Sequence, residues 1–181
     1  WRPGTDSAGV PLGGVAETGW VRPTTPVFNM SLEELDALPE VQPAPSGAIS
    51  IDSLVIEFGE QYLTRSDIAT LLLIRDNLGK RPIYFSWSDG GYPDSLFGLT
   101  PYLISHGMVR KLSPTPVRPD GDRIVFSPGM GWIDLPRTEA LLNDVYHWEA
   151  AARERPYGWV DPPSGTILQL YALVYGGYAD F

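Results

Sequence analysis

The stretch from Gly79 to Leu112 (GKRPIYFSWSDGGYPDSLFGLTPYLISHGMVRKL) constrains the fold more than any other part of this chain. Gly79 is placed to end a helix in the left-handed conformation, and Lys80 and Arg81 follow where cations favour a helix C-terminus. Pro82 is compatible with a strand only as its first residue, so Pro82-Ile-Tyr-Phe-Ser-Trp87 reads as a strand. Asp89-Gly-Gly-Tyr-Pro-Asp94 reads as a loop. Thr100 followed by Pro101 predicts a short helix to about Ser105, ended by Gly107. Met108 to Leu112 is the next strand. Upstream, Ile49, Ile51, Leu54, Val55, Ile56 and Phe58 give Ala48 to Phe58 a strand-like pattern. Thr64 or Ser66 can then cap a helix over 66–78 whose Ile68, Leu71, Leu72, Leu73, Ile74 and Leu78 leave few polar sides. The order strand, helix, strand, helix, strand makes two crossover units. It predicts an α/β fold with a small, mainly parallel sheet, right-handed connections and flanking helices.

The flanks read differently. Residues 1–47 form an extended N-terminal arm, broken by prolines and glycines, with one short helix. That helix starts at the capping box Ser31-Leu-Glu-Glu34 and runs through Leu38, and residues 39–47 are a proline-rich connector. Residues 48–113 are the α/β core. Residues 114–181 are a C-terminal extension with two helices packing on that core. In it, Arg123 to Ser127 suits an edge strand, and Pro136 opens a helix running to about Arg153. Ser164 or Thr166 caps a last helix with Ile167, Leu170, Tyr171, Val174 and Tyr178 on one side. That helix has a possible exposed aromatic edge.

Composition narrows the function. The 18 prolines and 19 glycines imply many turns, while 43% apolar residues suffice for a core. A net charge of −9 argues against nucleic acid, whose affinity comes from cations neutralising phosphates, and against docking on anionic lipid headgroups. The absence of cysteine excludes disulfides and thiolate chemistry. No apolar run approaches the ~20 residues a membrane helix needs, so the chain as given reads as soluble or membrane-extrinsic. Its start at Trp1 suggests a processed protein or a piece of a longer one.

No catalytic, cofactor or metal site is legible. His106 and His147 lie far apart in sequence without a ligand motif. His106, at the end of the short helix, would favour the helix dipole when protonated. Asp89 and Asp94 could offer oxygens to calcium, but their spacing does not fit an EF-hand loop and a polar turn is the simpler reading. G-x-S-x-G, the P-loop and G-x-G-x-x-G are absent. Asn29-Met-Ser31 is formally a glycosylation sequon. Asp52, Glu57, Glu60, Asp89, Asp94 and Asp161 are the carboxylates available for glycosidase-like pairing, with structural roles the default.

Asn77, Arg81-Pro-Ile-Tyr-Phe85, Gly98-Leu99, Tyr102-Leu103, Gly107 and Val109-Arg-Lys-Leu112 carry a resemblance. In this order they are similar to the soluble C-terminal part of the DUF2723 family, large bacterial membrane proteins related to protein O-mannosyltransferases. Gly90-Gly91-Tyr92-Pro93 resembles the wording found in Gemmatimonadota-type bacteria. Weaker similarity extends from about Pro26 through Trp159-Val-Asp-Pro-Pro-Ser164 to the C-terminus. In that family, glycosyl transfer belongs to the membrane-spanning part, so the resemblance carries over no catalytic residue. What it implies is an extracytoplasmic, membrane-adjacent domain.

The expectation from residues and resemblance together is a non-catalytic, periplasmic scaffold subunit without cofactors. Its partners are integral membrane proteins, and the specific expectation is a photosynthetic reaction centre with its light-harvesting antenna. Trp1, Trp20, Phe28, Trp132, Trp148, Trp159, Tyr175 and Tyr178 are the anchor candidates, since buried aromatics dominate interfaces. The alternative is a soluble acceptor- or sugar-recognition domain of an O-mannosyltransferase-like membrane glycosyltransferase, which a groove lined by Trp87, Tyr92, Asp89 and Asp94 would favour.

Overall fold

The computed structural model describes residues 29–58, 62–89, 91–146, 162–179 and 181. The elements begin with α1 (Leu32–Asp36), β1 (Val41–Pro43), β2 (Gly47–Ile51), β3 (Leu54–Phe58), β4 (Tyr62–Thr64) and α2 (Arg65–Asn77). β5 (Tyr84–Ser86) leads into a 3-10 turn, Trp87–Asp89, and α3 (Tyr92–Phe97). A second 3-10 turn, Thr100–Tyr102, precedes β6 (Leu103–His106) and β7 (Val109–Leu112). β8 (Ile124–Ser127), β9 (Gly131–Asp134), α4 (Leu135–Ala140), a π-helical turn (Leu141–Val145) and α5 (Pro162–Tyr178) complete the order.

Local chemistry explains most boundaries. Ser31 and Glu34 make the reciprocal capping box that starts α1, and Thr64 and Asp67 make another that starts α2. Leu78 closes α2 and Gly79 follows with φ +72°, where an L side chain would be strained. Asp134 caps α4 through Arg137 N–H. α5 starts at Pro162, ahead of the expected caps Ser164 and Thr166. Prolines suit a first turn, whose N–H groups have no intrahelical partner in any case.

The sheet corrects the expected topology. Its strand order is β5-β7-β6-β9-β8, and only β6 with β9 is a parallel pair. The fold is therefore mixed α/β with a mixed sheet, and most of its ladders are antiparallel. The cause is the segment read as a helix to Ser105. Pro101 opens only a 3-10 turn, and Leu103-Ile-Ser-His106 enters a strand whose first three residues are buried. Gly107, φ +58°, is then not a helix stop but the first residue of the two-residue turn joining β6 to β7. So short a link permits only an antiparallel pair, whereas a parallel pair needs a crossover of about a dozen residues. The expected loop 89–94 likewise becomes α3 from Tyr92 onward. Ala48 to Phe58 folds as the antiparallel hairpin β2–β3 and not as one strand. It turns at Asp52, the one described non-glycine residue with positive φ, a conformation Asp tolerates.

Two apolar clusters hold these elements. The first joins Leu54, Ile56 and Phe58 of β3 to Leu71 and Ile74 of α2, Leu78, Phe97, Leu99, Tyr102, Leu103 and Leu112. The second gathers Met130, Ile133, Leu142 and Val174, with Tyr146, Tyr175 and Tyr178 packed against it. The five-stranded sheet takes strands from both sides of residue 113. One of its faces, carrying Arg110, Leu112, Leu103, Ser105 and Ile133, is buried. The register places Tyr84, Lys111, Ile104, Trp132 and Phe126 side by side on the other. Tyr84 and Phe126 there are about half exposed, at 48% and 55%.

Candidate functional site

β7 alternates, and the alternation decides the site. Leu112 points into the first cluster, so Arg110, two residues earlier, must point to the same buried side. Its exposure is 5%. A buried guanidinium needs acids; the 3-10 turn after β5 supplies Asp89 and α3 supplies Asp94. Its Nη2 donates to Asp89 Oδ1 at 2.9 Å, and its Nη1 pairs with Asp94 Oδ2. Its guanidinium carbon lies 4.6 Å from the centre of the Trp87 ring, a cation–π contact.

The acids are themselves held. Asp89 Oδ1 also accepts from Gly91 N–H at 3.1 Å, closing a turn. Asp94 Oδ1 accepts from the Thr100 hydroxyl at 2.8 Å. One cation between two carboxylates leaves the cluster with one excess negative charge. Three buried polar atoms in it, Trp87 Nε1, Asp89 Oδ2 and Arg110 Nε, have no hydrogen-bond partner among the described residues. Native structures rarely leave such atoms unmatched. Beside them opens a cleft of about 290 Å³ lined by Trp87, Asp94, Thr100 and Arg110, with Leu103, Phe126, Gly129, Met130 and Gly131 as its apolar and backbone wall. Its volume is at the low end for a small-molecule site, about 300–1,000 Å³.

Of the groove residues expected from sequence, Trp87, Asp89 and Asp94 come together. Tyr92 does not join them. Its hydroxyl donates to Asp67 Oδ1 at 2.6 Å, and its ring packs edge-on against Phe97. Burial pushes the Tyr92 phenol up to about 12, and the bond to Asp67 adds to the shift. Burial alone would raise the Asp67 carboxyl, but hydrogen bonds from Tyr92 and Thr64 outweigh it and hold the group below its usual range. Asp89 and Asp94 are partners of Arg110 and not a calcium loop. Arg110 was missed as a site residue, although inward-facing Leu112 two positions on already implied its burial.

His106 ends β6 and not a helix, so no helix dipole favours its charged form. Its Nε2 lies 3.7 Å from Asp134 Oδ2, and its ring tilts against Tyr84. Burial lowers its pKa, opposed by Asp134 and assisted by Lys111 and Arg137. His147 lies outside the described residues. Among the described residues no group of three His, Cys, Asp or Glu side chains could hold a metal ion.

The anchor candidates divide. Trp132 is half-buried on the open sheet face, edge-on to Phe126 at 5.2 Å between ring centres. Tyr175 and Tyr178 pack into the second cluster, and the Tyr175 hydroxyl donates to Leu142 C=O at 2.8 Å. Trp1, Trp20, Phe28, Trp148 and Trp159 lie outside the described residues. No helix among the described residues is long and apolar enough to cross a membrane.

A family model, TMEM260-associated domain 2, matches residues 17–134. The match ends with the last residue of β9 and takes in the whole Trp87–Arg110 cleft. No curated protein and no solved structure matches the chain.

Proposed function

The chain belongs to the TMEM260-associated domain 2 family, and on that premise we propose that it is a non-catalytic recognition domain serving an O-mannosyltransferase-like membrane glycosyltransferase. It holds a sugar, or the sugar acceptor, in the Trp87–Arg110 cleft on the extracytoplasmic side. The observation that carries this reading is the trio of unmatched buried polar atoms beside an indole ring, Trp87 Nε1, Asp89 Oδ2 and Arg110 Nε. A sugar hydroxyl both donates and accepts, so it suits a site that offers two donors and one acceptor. The cleft's apolar wall suits the C–H faces of a pyranose. The test is calorimetric titration with methyl α-mannoside and with a Ser/Thr-rich acceptor peptide. One of the two should bind saturably, and Trp87→Phe should weaken it about tenfold, the effect of losing one well-placed hydrogen bond of ~1.4 kcal/mol. Absence of saturable binding by both ligands would refute the proposal.

The scaffold reading remains a second proposal, favoured by the open sheet face. Phe126 is 55% exposed there beside Trp132, and aromatic residues are enriched at protein interfaces. If this face bridges membrane proteins, Phe126→Ser should abolish their co-purification without shifting the melting temperature. Retention of the partners would end that reading.

A further inference from the structure

The five-stranded sheet has two edges, β5 and β8, and they are finished differently. At β8, Asp120 closes the strand from outside. Ile124 N–H donates to Asp120 C=O at 3.3 Å, and Ile124 C=O accepts from Asp120 N–H at 3.2 Å. Pro128, just beyond the strand, has no N–H to offer. At β5 nothing comparable occurs among the described residues. We propose that the β5 edge, through the main-chain groups of Tyr84 and Ser86, takes up an extended segment of a partner protein as an added strand, and that this segment carries no acidic residues.

The hydrogen bonds around β5 fix which groups face outward. Ile83 C=O accepts from Leu112 N–H at 2.9 Å, and Trp87 N–H donates to Met108 C=O at 3.3 Å. The peptide units here are trans, so N–H and C=O of one unit point in opposite directions. The Tyr84 N–H therefore points away from β7, and so does the Ser86 C=O. Phe85 lies opposite Arg110 in the register. Bonded pairs alternate along an antiparallel ladder, so Phe85 faces β7 as Ile83 and Trp87 do, while Tyr84 C=O and Ser86 N–H face outward. The edge thus presents N–H and C=O groups from Tyr84 and Ser86 in one row. None of these groups has a hydrogen-bond partner among the described residues. Ser86 is engaged only through its side chain, which accepts from Ser88 N–H at 3.1 Å. Pro82, Tyr84, Ser86 and Ser88 are all exposed, as an uncovered edge requires.

A row of alternating donors and acceptors at strand spacing is matched by another extended polypeptide backbone. Natural sheets blunt such edges with lysine, proline or inward-pointing charges. Here proline stands only ahead of the strand, at Pro82, and Tyr84-Phe85-Ser86 carries no charge. The side chains define the partner further. Phe85 packs against the first apolar cluster, so the partner residue opposite it gains from being apolar. The partner residues on either side lie beside Tyr84 and Ser86 on the open face, where polar β-branched side chains fit. Charge decides between a second copy and another protein. Two copies of a chain at −9 repel each other, whereas a segment with lysine at its ends is attracted. The proposal does not rest on the reading of the Trp87–Arg110 cleft, and it uses the edge of the sheet rather than the face around Phe126.

The experiment uses the full chain and the capped peptide Lys-Thr-Thr-Val-Thr-Thr-Lys, read by amide chemical shifts and hydrogen exchange. Without peptide, the amides of Tyr84 and Ser86 should exchange fast while that of Phe85 is protected. Saturating peptide should slow Tyr84 and Ser86 at least tenfold. Ser86→Pro removes one outward N–H without taking a bond from the β5–β7 ladder, and it should weaken binding tenfold or more at an unchanged melting temperature. Ser86→Ala keeps every main-chain group and should bind as the wild type does. The same peptide N-methylated at the two threonines flanking valine lacks the facing donors and should not bind. If Ser86→Pro lowers the melting temperature, the N-methylated peptide decides. The proposal is overturned by no saturable binding, by equal binding of the N-methylated peptide, by equal binding to a folded Ser86→Pro, or by Tyr84 and Ser86 amides already protected in the dilute chain. A rise in mass with concentration that protects those amides also overturns it, since the occupant is then a second copy.

Discussion

Arg110 shows how one residue can set both stability and a site. Its two acid partners make its burial tolerable, so removing the cation should harm the fold more than removing the whole cluster. Arg110→Met would leave Asp89 and Asp94 facing each other without a counter-charge, and the cost should be about 3–5 kcal/mol in urea unfolding. Adding Asp89→Asn and Asp94→Asn should recover part of that loss, because neutral amides remove the uncompensated charges. His106 makes a separate prediction. Its folded pKa lies below the unfolded value of 6.5, so the unfolded chain binds the proton more readily. The stability tied to the neutral ring is therefore complete above about pH 6.5 and is lost as pH falls toward the folded pKa. Stability measured between pH 7.5 and 5 should decline less steeply in His106→Gln than in the wild type, and parallel curves would show that another group governs the slope.

Among the elements, α2 has the most complete set of local instructions. Thr64 accepts from Asp67 N–H, Asp67 accepts from Thr64 N–H at 2.7 Å, and Gly79 turns the chain beyond the far end. Thr64→Ala should cost about 1 kcal/mol, read as a shift of the urea midpoint with unchanged slope. Tyr92→Phe tests a link the cap makes with the rest of the fold. It removes a hydrogen bond to a nearly buried carboxylate and should cost about 1.5–3 kcal/mol. The caps of α1 and α2, the stop at Gly79 and the edge position of β8 were all legible in the sequence, because each depends on residues a few positions apart. The step from Pro101 to β6 was not. Thr100-Pro101 is a sound helix start, but Leu103, Ile104 and Ser105 lie in the middle of a sheet between β7 and β9, and that burial outweighs a local start signal. α3 was hidden for the converse reason. Gly91 and Pro93 resemble a loop, yet Gly91 in the left-handed region and a first-turn proline also begin a helix.

At the scale of the molecule, two apolar clusters divide the described structure, and α5 belongs to the second. Val174 is fully buried there, and Gly177 packs so closely that a Cβ built on it would overlap the Met130 sulfur. Gly177→Leu should therefore lift the end of α5 from Met130 and destabilise the protein by about 1–3 kcal/mol. Hydrogen exchange should quicken across α5 while α2, which packs in the first cluster, keeps its protection. Equal loss in both would mean that the clusters unfold as one unit.

The amino-acid sequence by itself determined the helix caps, the stop at Gly79, the acidic surface and the absence of thiol chemistry. These are properties of single residues or of residues within one turn of each other, where side chain and backbone meet whatever the rest of the chain does. Tertiary structure alone decided that β6 pairs in parallel with β9, that Arg110 lies between Asp89 and Asp94, and that β5 stands at an edge of the sheet. Strand pairing and burial join residues far apart in the chain, and no local preference specifies which strand becomes the neighbour.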